Sequence, residues 1–287
     1  MSTGLRLFVN KIAGSVFAAV VVVAAGSLFA ADPEPATPTP TPAPPRRLPP
    51  DPDRPLILFD FRIFQTSPGK LDALHARLRD HQIPLLEQHG IFTLAVFVPA
   101  GENPDRLVYL ITGAEGLTAM TEGWAGFRKD PEWLKVKQAT DESGPLVLQE
   151  KYKPLSMTYW SPKFPPDEPI KAGIFELRTY VCPNRQKHAA LMRRFRDHTK
   201  KLFEKHGMTN VVYWTAPDEP ELWEGLVYLL AHDNEEAAQK SFAAFRSDPE
   251  WLAVKKASEE MSGGSLTNAE NGVQSLFLQA TDYSPLK

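Results

Sequence analysis

The sequence predicts an α+β protein made of two tandem βαββαβ modules whose antiparallel sheets pair with each other. Three observations predict it. Phe59-Asp60-Phe61-Arg62-Ile63-Phe64 and Phe175-Glu176-Leu177-Arg178-Thr179-Tyr180 are near copies, and each alternates side chains as a strand does. Each copy is followed by a helix ending in His-Gly, then more strands, then a second helix carrying Asp-Pro-Glu-Trp. Matched residues keep almost constant spacing, 116 from Phe59 to Phe175, 117 from Arg79 to Arg196 and 118 from Asp130 to Asp248, which marks a duplication.

The chain starts with a segment outside this repeat. Residues 1–31 carry Arg6 and Lys11 and no acid, and Ile12 to Ala31 is uncharged, small and apolar. This is the pattern of a cleaved signal peptide, with cleavage after Ala30 or Ala31. Leu28 or Phe29 would then stand where a small residue is usual. The run also approaches the roughly 20 residues that span a bilayer, so an uncleaved N-terminal anchor is the alternative. Either way the chain is expected to be exported, to a periplasmic or extracellular location. Residues 32–55 hold 11 prolines, and a chain so poor in backbone donors favours an extended spacer and cannot build a core.

The first module is expected at 56–163. Leu56–Phe64 reads as a strand and Ser67-Pro68-Gly69 as a turn. A helix follows with Leu71, Leu74, Leu78, His81 and Leu85 on one stripe, kinked by Pro84 and capped by His89-Gly90. Ile91–Val98 and Arg106–Thr112 read as strands and Leu117–Lys129 as a helix. Asp130-Pro131-Glu132-Trp133 restarts a helix, with aspartate as N-cap and proline in the first turn. A last strand falls within Leu146–Tyr159.

The second module, at 170–287, repeats this order. Ile174–Tyr180 is its first strand, and its first helix places His188, Leu191, Phe195, His198 and Leu202 on one stripe before His206-Gly207. Asn210–Thr215 and Trp223–Ala231 are its middle strands, Glu235–Arg246 a helix that restarts at Asp248, and Gln274–Ala280 its last strand. The order βαββαβ is the ferredoxin-like arrangement, with helices over one face of a four-stranded sheet. The other face needs cover. Two such sheets in one chain can supply it, which gives a pseudo-twofold α/β barrel. Phe175 and Leu177 would then pack on the helices, while Glu176, Arg178 and Tyr180 point between the sheets with Asp60, Arg62 and Phe64 opposite.

Hydrophobic content of 43% and charged content of 23% are ordinary for a globular chain. A net charge of −3, with no basic block, makes a nucleic-acid partner a poor fit. With Cys182 alone, no intrachain disulfide can form. No glycine-rich nucleotide loop and no Gly-x-Ser-x-Gly motif occurs, and no His-x-x-x-His or paired-cysteine spacing supports a metal site.

The Glu-Leu-Arg-Thr-Tyr strand, the helix closing on His-Gly, the strand reaching Tyr213-Trp214 and the Asp-Pro-Glu-Trp restart together resemble the NIPSNAP family, within the dimeric α/β-barrel superfamily. The resemblance covers both modules and is closer in the second. The first replaces glutamate by Asp60, tyrosine by Phe64 and Tyr213-Trp214 by Val96-Phe97. It implies the barrel fold and a tendency to form homo-oligomers, and it implies no assigned reaction. Relatives in the superfamily include cofactor-free monooxygenases and haem-degrading or haem-binding proteins.

Glu176, Arg178 and Tyr180 form the strongest candidate constellation. In the functional reading Arg178 binds an anionic group, Glu176 moves a proton and Tyr180 orients a ligand. In the structural reading, which ranks first, the charges form a network with Asp60 and Arg62 that fixes how the sheets meet. His198, like His81, is either a proton shuttle or ligand, or a packed helix residue. Tyr213 and Trp214 either line a cavity mouth or pack. His89 and His206 are read as caps, and Trp133, Trp251, Phe127 and Phe245 as core anchors. The leading expectation is a module that binds an unknown small molecule or a protein partner, without catalysis of its own. The enzyme alternative is an oxygenase-like activity on a hydrophobic, anionic or haem-like ligand. A purely structural pairing domain is the third reading. No cofactor is expected, with haem as the one left open, and a membrane is met only through an uncleaved N-terminus.

Overall fold

The computed structural model describes residues 56–215 and 225–287. The segments expected to be a signal or anchor and a proline-rich spacer lie outside the described residues, as do Trp223 and Glu224 of the strand expected at Trp223–Ala231. The rest forms an α+β fold around one eight-stranded antiparallel sheet.

The first half runs β1 (Ile57–Thr66), α1 (Leu71–Arg77), a π turn (Leu78–Gln82), α2 (Ile83–Gln88), β2 (Phe92–Pro99), β3 (Leu107–Glu115), α3 (Gly116–Lys129), α4 (Pro131–Thr140) and β4 (Val147–Met157). The second repeats it with β5 (Ile174–Tyr180), α5 (Arg185–Arg194), a π turn (Phe195–Thr199), α6 (Lys200–Lys205), β6 (Thr209–Thr215), β7 (Leu226–His232), α7 (Glu235–Ser247), α8 (Pro249–Met261) and β8 (Val273–Ala280). Each half orders its strands alike, β4-β1-β3-β2 and β8-β5-β7-β6. Phe97 of β2 pairs with Ala280 of β8, and Met157 of β4 pairs with Trp214 of β6, so the strand ring closes on itself. The closing ladders are short, Ser156 and Met157 of β4 on β6 and Leu278–Ala280 of β8 on β2, so the strands seal at one end and splay at the other.

Both faces of this sheet carry buried apolar residues, while β4 and the start of β8 leave exposed stretches at Leu148–Tyr152 and Val273–Ser275. The inner face gathers Phe59, Phe61, Tyr109, Leu155, Phe175, Leu177, Trp214, Leu229 and Leu278 from both halves. The outer face splits into two helix-covered clusters, one per half. Phe175 and Leu177 therefore line the interior, and Glu176, Arg178 and Tyr180 lie under the helices, the reverse of the expected facing. Alternation fixes which residues share a face but does not say which face the helices cover when both are buried. The charges on the outer face find their polar partners on the neighbouring strands, and the helices lay aromatic rings over the two guanidinium groups.

The helix restarts form as expected. Asp130 Oδ1 accepts from the Glu132 and Trp133 amides, and Asp248 Oδ1 from the Glu250 amide. Phe127 sits 4.6 Å from Trp133, and Phe245 4.4 Å from Trp251. His89 and His206 cap their helices, and each also reaches the N-cap aspartate, at 2.9 Å for His89–Asp130 and 2.7 Å for His206–Asp248. That link between the two helices of each half lies 41 or 42 residues apart in sequence.

Residues 158–173 join the halves and cover one end of the interior. Phe164 stacks on Phe92 at 5.4 Å and meets Phe59 edge-on at 5.7 Å, and Ile170 and Ala172 pack on the same cluster. The other end, where β1 and β5 run out, is open.

Candidate functional site

Glu176 sits mid-strand on β5, its side chain 2% exposed. Arg178, two residues on and on the same face, donates from Nη1 to Glu176 Oε1 at 2.5 Å. Ser275 Oγ, from the neighbouring strand β8, donates to the same oxygen. His232 Nε2, at the end of β7, is 3.1 Å from Glu176 Oε2. Burial pushes the Glu176 carboxyl up, but the His232 contact, the Arg178 charge and the Ser275 hydroxyl together outweigh it and hold the group below its ordinary range. The guanidinium of Arg178 lies over the Phe242 ring at 4.4 Å, which places α7 as its lid.

Tyr180 continues this face. Its ring is 5.3 Å from Phe195, and its hydroxyl accepts from Tyr228 at 3.3 Å. Tyr228 stacks on Tyr213 at 5.2 Å, and Tyr213 donates to Asn210. Tyr213 thus belongs to the helix-covered cluster, whereas Trp214 turns inward and meets Phe59 at 5.5 Å. Both are fully buried, and neither is among the residues that line the cavity described below.

In the first half Arg62 donates to Asp60 at 3.0 and 2.5 Å and also to Glu150, under Trp124 of α3 at 3.7 Å. Burial dominates here, and the Asp60 carboxyl is raised above its ordinary range despite Arg62. The two charge clusters close separately, each inside its own half. The expected network joining Asp60 and Arg62 to Glu176 and Arg178 across the sheets does not form, because every member points away from the interior.

His198 does not share the face of Leu191, Phe195 and Leu202. It is exposed, and Thr199 takes the buried place. The π turn is the reason. The Lys200 amide bonds back to the Phe195 carbonyl, five residues away, so one extra residue occupies the turn and the stripe skips His198. The Ile83 amide does the same to Leu78, which buries Gln82 and leaves His81 half-buried. Pro84 follows this turn, but Lys201 stands at the matching place in the second half, so proline does not cause it.

The open end of the interior holds a cavity of about 440 Å³. Its walls are Phe61 and Ile63 of β1, Tyr109 of β3, Leu177 and Thr179 of β5, and Gln274 and Leu276 of β8, with Lys151 and Lys153 of β4 at the mouth. Phe61 and Tyr109 stack at 5.9 Å as one flat wall. The residues lining it include no carboxylate, imidazole or thiol. Among the described residues no group of three or more His, Cys, Asp or Glu side chains could hold a metal ion. The sequence reading missed this site and missed His232 and Ser275. One signal was present: Lys151 and Lys153 alternate in phase with Leu155 and Met157 on the last strand of the first half.

The family description NIPSNAP matches residues 175–285. No curated protein matches the chain. A monooxygenase candidate from Fusobacterium nucleatum has a similar fold, with a TM-score of 0.51 at 10% identity over 79% of this chain and 93% of that one. An uncharacterised NIPSNAP-like domain protein from Burkholderia xenovorans is 19% identical over 38% of this chain and 92% of its own, with a TM-score of 0.34. A NIPSNAP family protein of unknown function from Agrobacterium tumefaciens is 18% identical over 37% and 92%, with a TM-score of 0.32. The second half of this chain, residues 175–285, is similar to the NIPSNAP family.

Proposed function

We propose that this chain is a binding protein, without catalysis of its own, that holds a small molecule inside the closed sheet. The cavity of about 440 Å³ carries this reading. Its size falls within the roughly 300–1,000 Å³ of small-molecule sites, and its aromatic and aliphatic walls with a few polar groups at the rim are what such sites share. The Glu176–Arg178–His232–Ser275 cluster supports the fold from behind the β5 wall, and its charges satisfy one another rather than face a ligand. An oxygenase-like enzyme is the alternative, and it would need its proton transfers from Tyr109 or the mouth lysines. Haem finds no histidine or cysteine ligand in the described lining.

The test starts from the purified chain without residues 1–31. Its absorption spectrum and native mass spectrum would reveal a retained molecule, and the uncharged fluorophore N-phenyl-1-naphthylamine would report an apolar site. Binding of one molecule, lost when Leu276→Trp fills the cavity with the melting temperature unchanged, is the expected result. No retained molecule and no probe binding would overturn the reading. Oxygen consumption with turnover of a bound aromatic would move it to the enzyme alternative.

The repeated strand order, the paired π turns and the paired His–Asp links support an origin in two ferredoxin-like modules, 56–163 and 170–287, closed as a pseudo-twofold barrel. Residues 1–31 are proposed to export this barrel and 32–55 to space it from the membrane or the cleavage site. No helix among the described residues is long and apolar enough to cross a membrane. N-terminal sequencing of the mature protein would distinguish cleavage near Ala31 from an intact anchor.

A further inference from the structure

We infer that the interior cavity recognises an uncharged aromatic amide, with its carboxamide or lactam group at Thr179 and Gln274 and its ring against Phe61 and Tyr109. The inference rests on the binding reading above and adds the chemistry of the ligand. Thr179 of β5 and Gln274 of β8 are directly opposed across their ladder, and both line the cavity. Alternation puts them in phase with Leu177 and Leu276 on the inner face. Opposed side chains on one face of an antiparallel pair stand roughly 5 Å apart at Cβ, so one small polar group can meet both. Neither side chain is hydrogen-bonded to another described residue. Ser275, next along β8, is turned through the wall to Glu176. A hydroxyl both donates and accepts, and so does a carboxamide, from its nitrogen and its oxygen. The complement is a group that also does both, as an amide does. A carboxylate only accepts and would leave the Gln274 carbonyl facing negative charge. An ammonium only donates, and the lining residues include no carboxylate to hold it.

The facing wall supplies the other end of the site. In the strand ring β1 lies across from β5, and β4 across from β8. The repeat puts Phe61 and Leu177 at matched places, as it does Ile63 and Thr179, and Lys151 and Gln274. The cavity therefore lies where the two halves face each other, and its two walls differ in kind. The stacked rings of Phe61 and Tyr109 stand on β1 and β3, and the hydroxyl and carboxamide stand on β5 and β8. A ligand with a flat ring at one end and an amide at the other fits these walls one way round. Burial raises the Tyr109 phenol above its ordinary range, so the ring end stays uncharged. Lys151 and Lys153, on β4, take no part in this recognition.

Three matched probes separate this inference from the reading beneath it, each read by displacement of N-phenyl-1-naphthylamine. They are 2-naphthamide, its apolar shape-match 2-isopropylnaphthalene, and the anion 2-naphthoate. The wild-type chain is expected to bind the amide and the hydrocarbon, and to bind the amide more tightly than the anion. Leu276→Trp is expected to abolish all binding, which places the probes in the cavity. A Thr179→Val, Gln274→Met double variant is expected to bind the amide about tenfold more weakly, the scale of two lost hydrogen bonds, while its affinity for the hydrocarbon holds. Retained hydrocarbon binding also shows that the variant is folded. If circular dichroism shows the double variant unfolded, Gln274→Met alone, at an exposed position, is read in its place, with a severalfold loss of the amide expected. Equal loss of amide and hydrocarbon in a folded variant, no loss of the amide, or tighter binding of the anion by wild type overturns the amide inference and leaves the binding reading standing. Failure of every probe with wild type, or their survival in Leu276→Trp, overturns both.

Discussion

Arg62 and Arg178 occupy matched places, yet they serve carboxylates of opposite character. Glu176 is held ionised by three partners, and Asp60 is raised by burial. Removing Arg178 strips a buried carboxylate of its cation, so Arg178→Met should cost about 3 kcal/mol at neutral pH. Arg62→Met should cost less, because Asp60 can take up a proton instead. The pH dependence follows from the lowered Glu176 group. Its stabilisation is present above the unfolded carboxylate pKa and is lost as pH falls through the folded value. The Arg178→Met deficit should therefore shrink on acidification, which urea unfolding at neutral and acid pH would measure. A deficit that stayed constant would mean that Arg178 acts by packing on Phe242 alone. Cys182 gives a second residue-scale prediction. Burial pushes its thiol up to about 12, so iodoacetamide should label it only on unfolding; rapid native labelling would contradict this. That Glu176 and Arg178 share one face was legible because the two sit two residues apart on one strand, whereas the expected pairing across the two sheets gave way to a bond within β5. His232 was not, being 56 residues away from Glu176 and brought to it only by the β5–β7 register.

Within the elements, local signals were the dependable ones. Asp-Pro-Glu-Trp named its helix start because the cap, the proline and the first-turn acid act within four residues. His-Gly named the helix end because the C-terminal turn needs a residue at positive φ, and Gly90 and Gly207 stand at φ 75° and 78°. The π turns were not legible, because the apolar spacing around them fits an ordinary helix until one residue is skipped. That misplacement makes a test. His198→Ala should leave stability within about 0.5 kcal/mol, as for an exposed position. Thr199→Arg, which forces charge into the buried place, should lower the denaturation midpoint sharply. If His198→Ala were the damaging change instead, the turn would be α-helical and the histidine would face the core. Face assignment failed for a related reason. Strand β5 is apolar on one side and partnered by polar groups on the other, and its sequence carries no mark of which side the helices take.

At the scale of the molecule, closure of the sheet joins all these elements and sets a prediction about the halves. Residues 170–287 alone would expose the free sides of β6 and β8, together with Phe175, Leu177, Trp214, Leu229 and Leu278 from the interior. An exposed apolar sheet with two open edges is a template for pairing. A second copy offers the same two edges, with β6 of one set to meet β8 of the other, as β6 meets β4 and β8 meets β2 in the intact chain. The isolated half should therefore sediment as a dimer that dissociates on dilution, with loss of near-ultraviolet signal from Trp214 as the interior opens. In the intact chain residues 158–173 make that pairing intramolecular, at an effective concentration that dilution does not change. Its sheet should stay closed at any concentration. A half that remained folded and monomeric would show that each sheet can do without the other, and the cavity between them would then have no structural reason to persist.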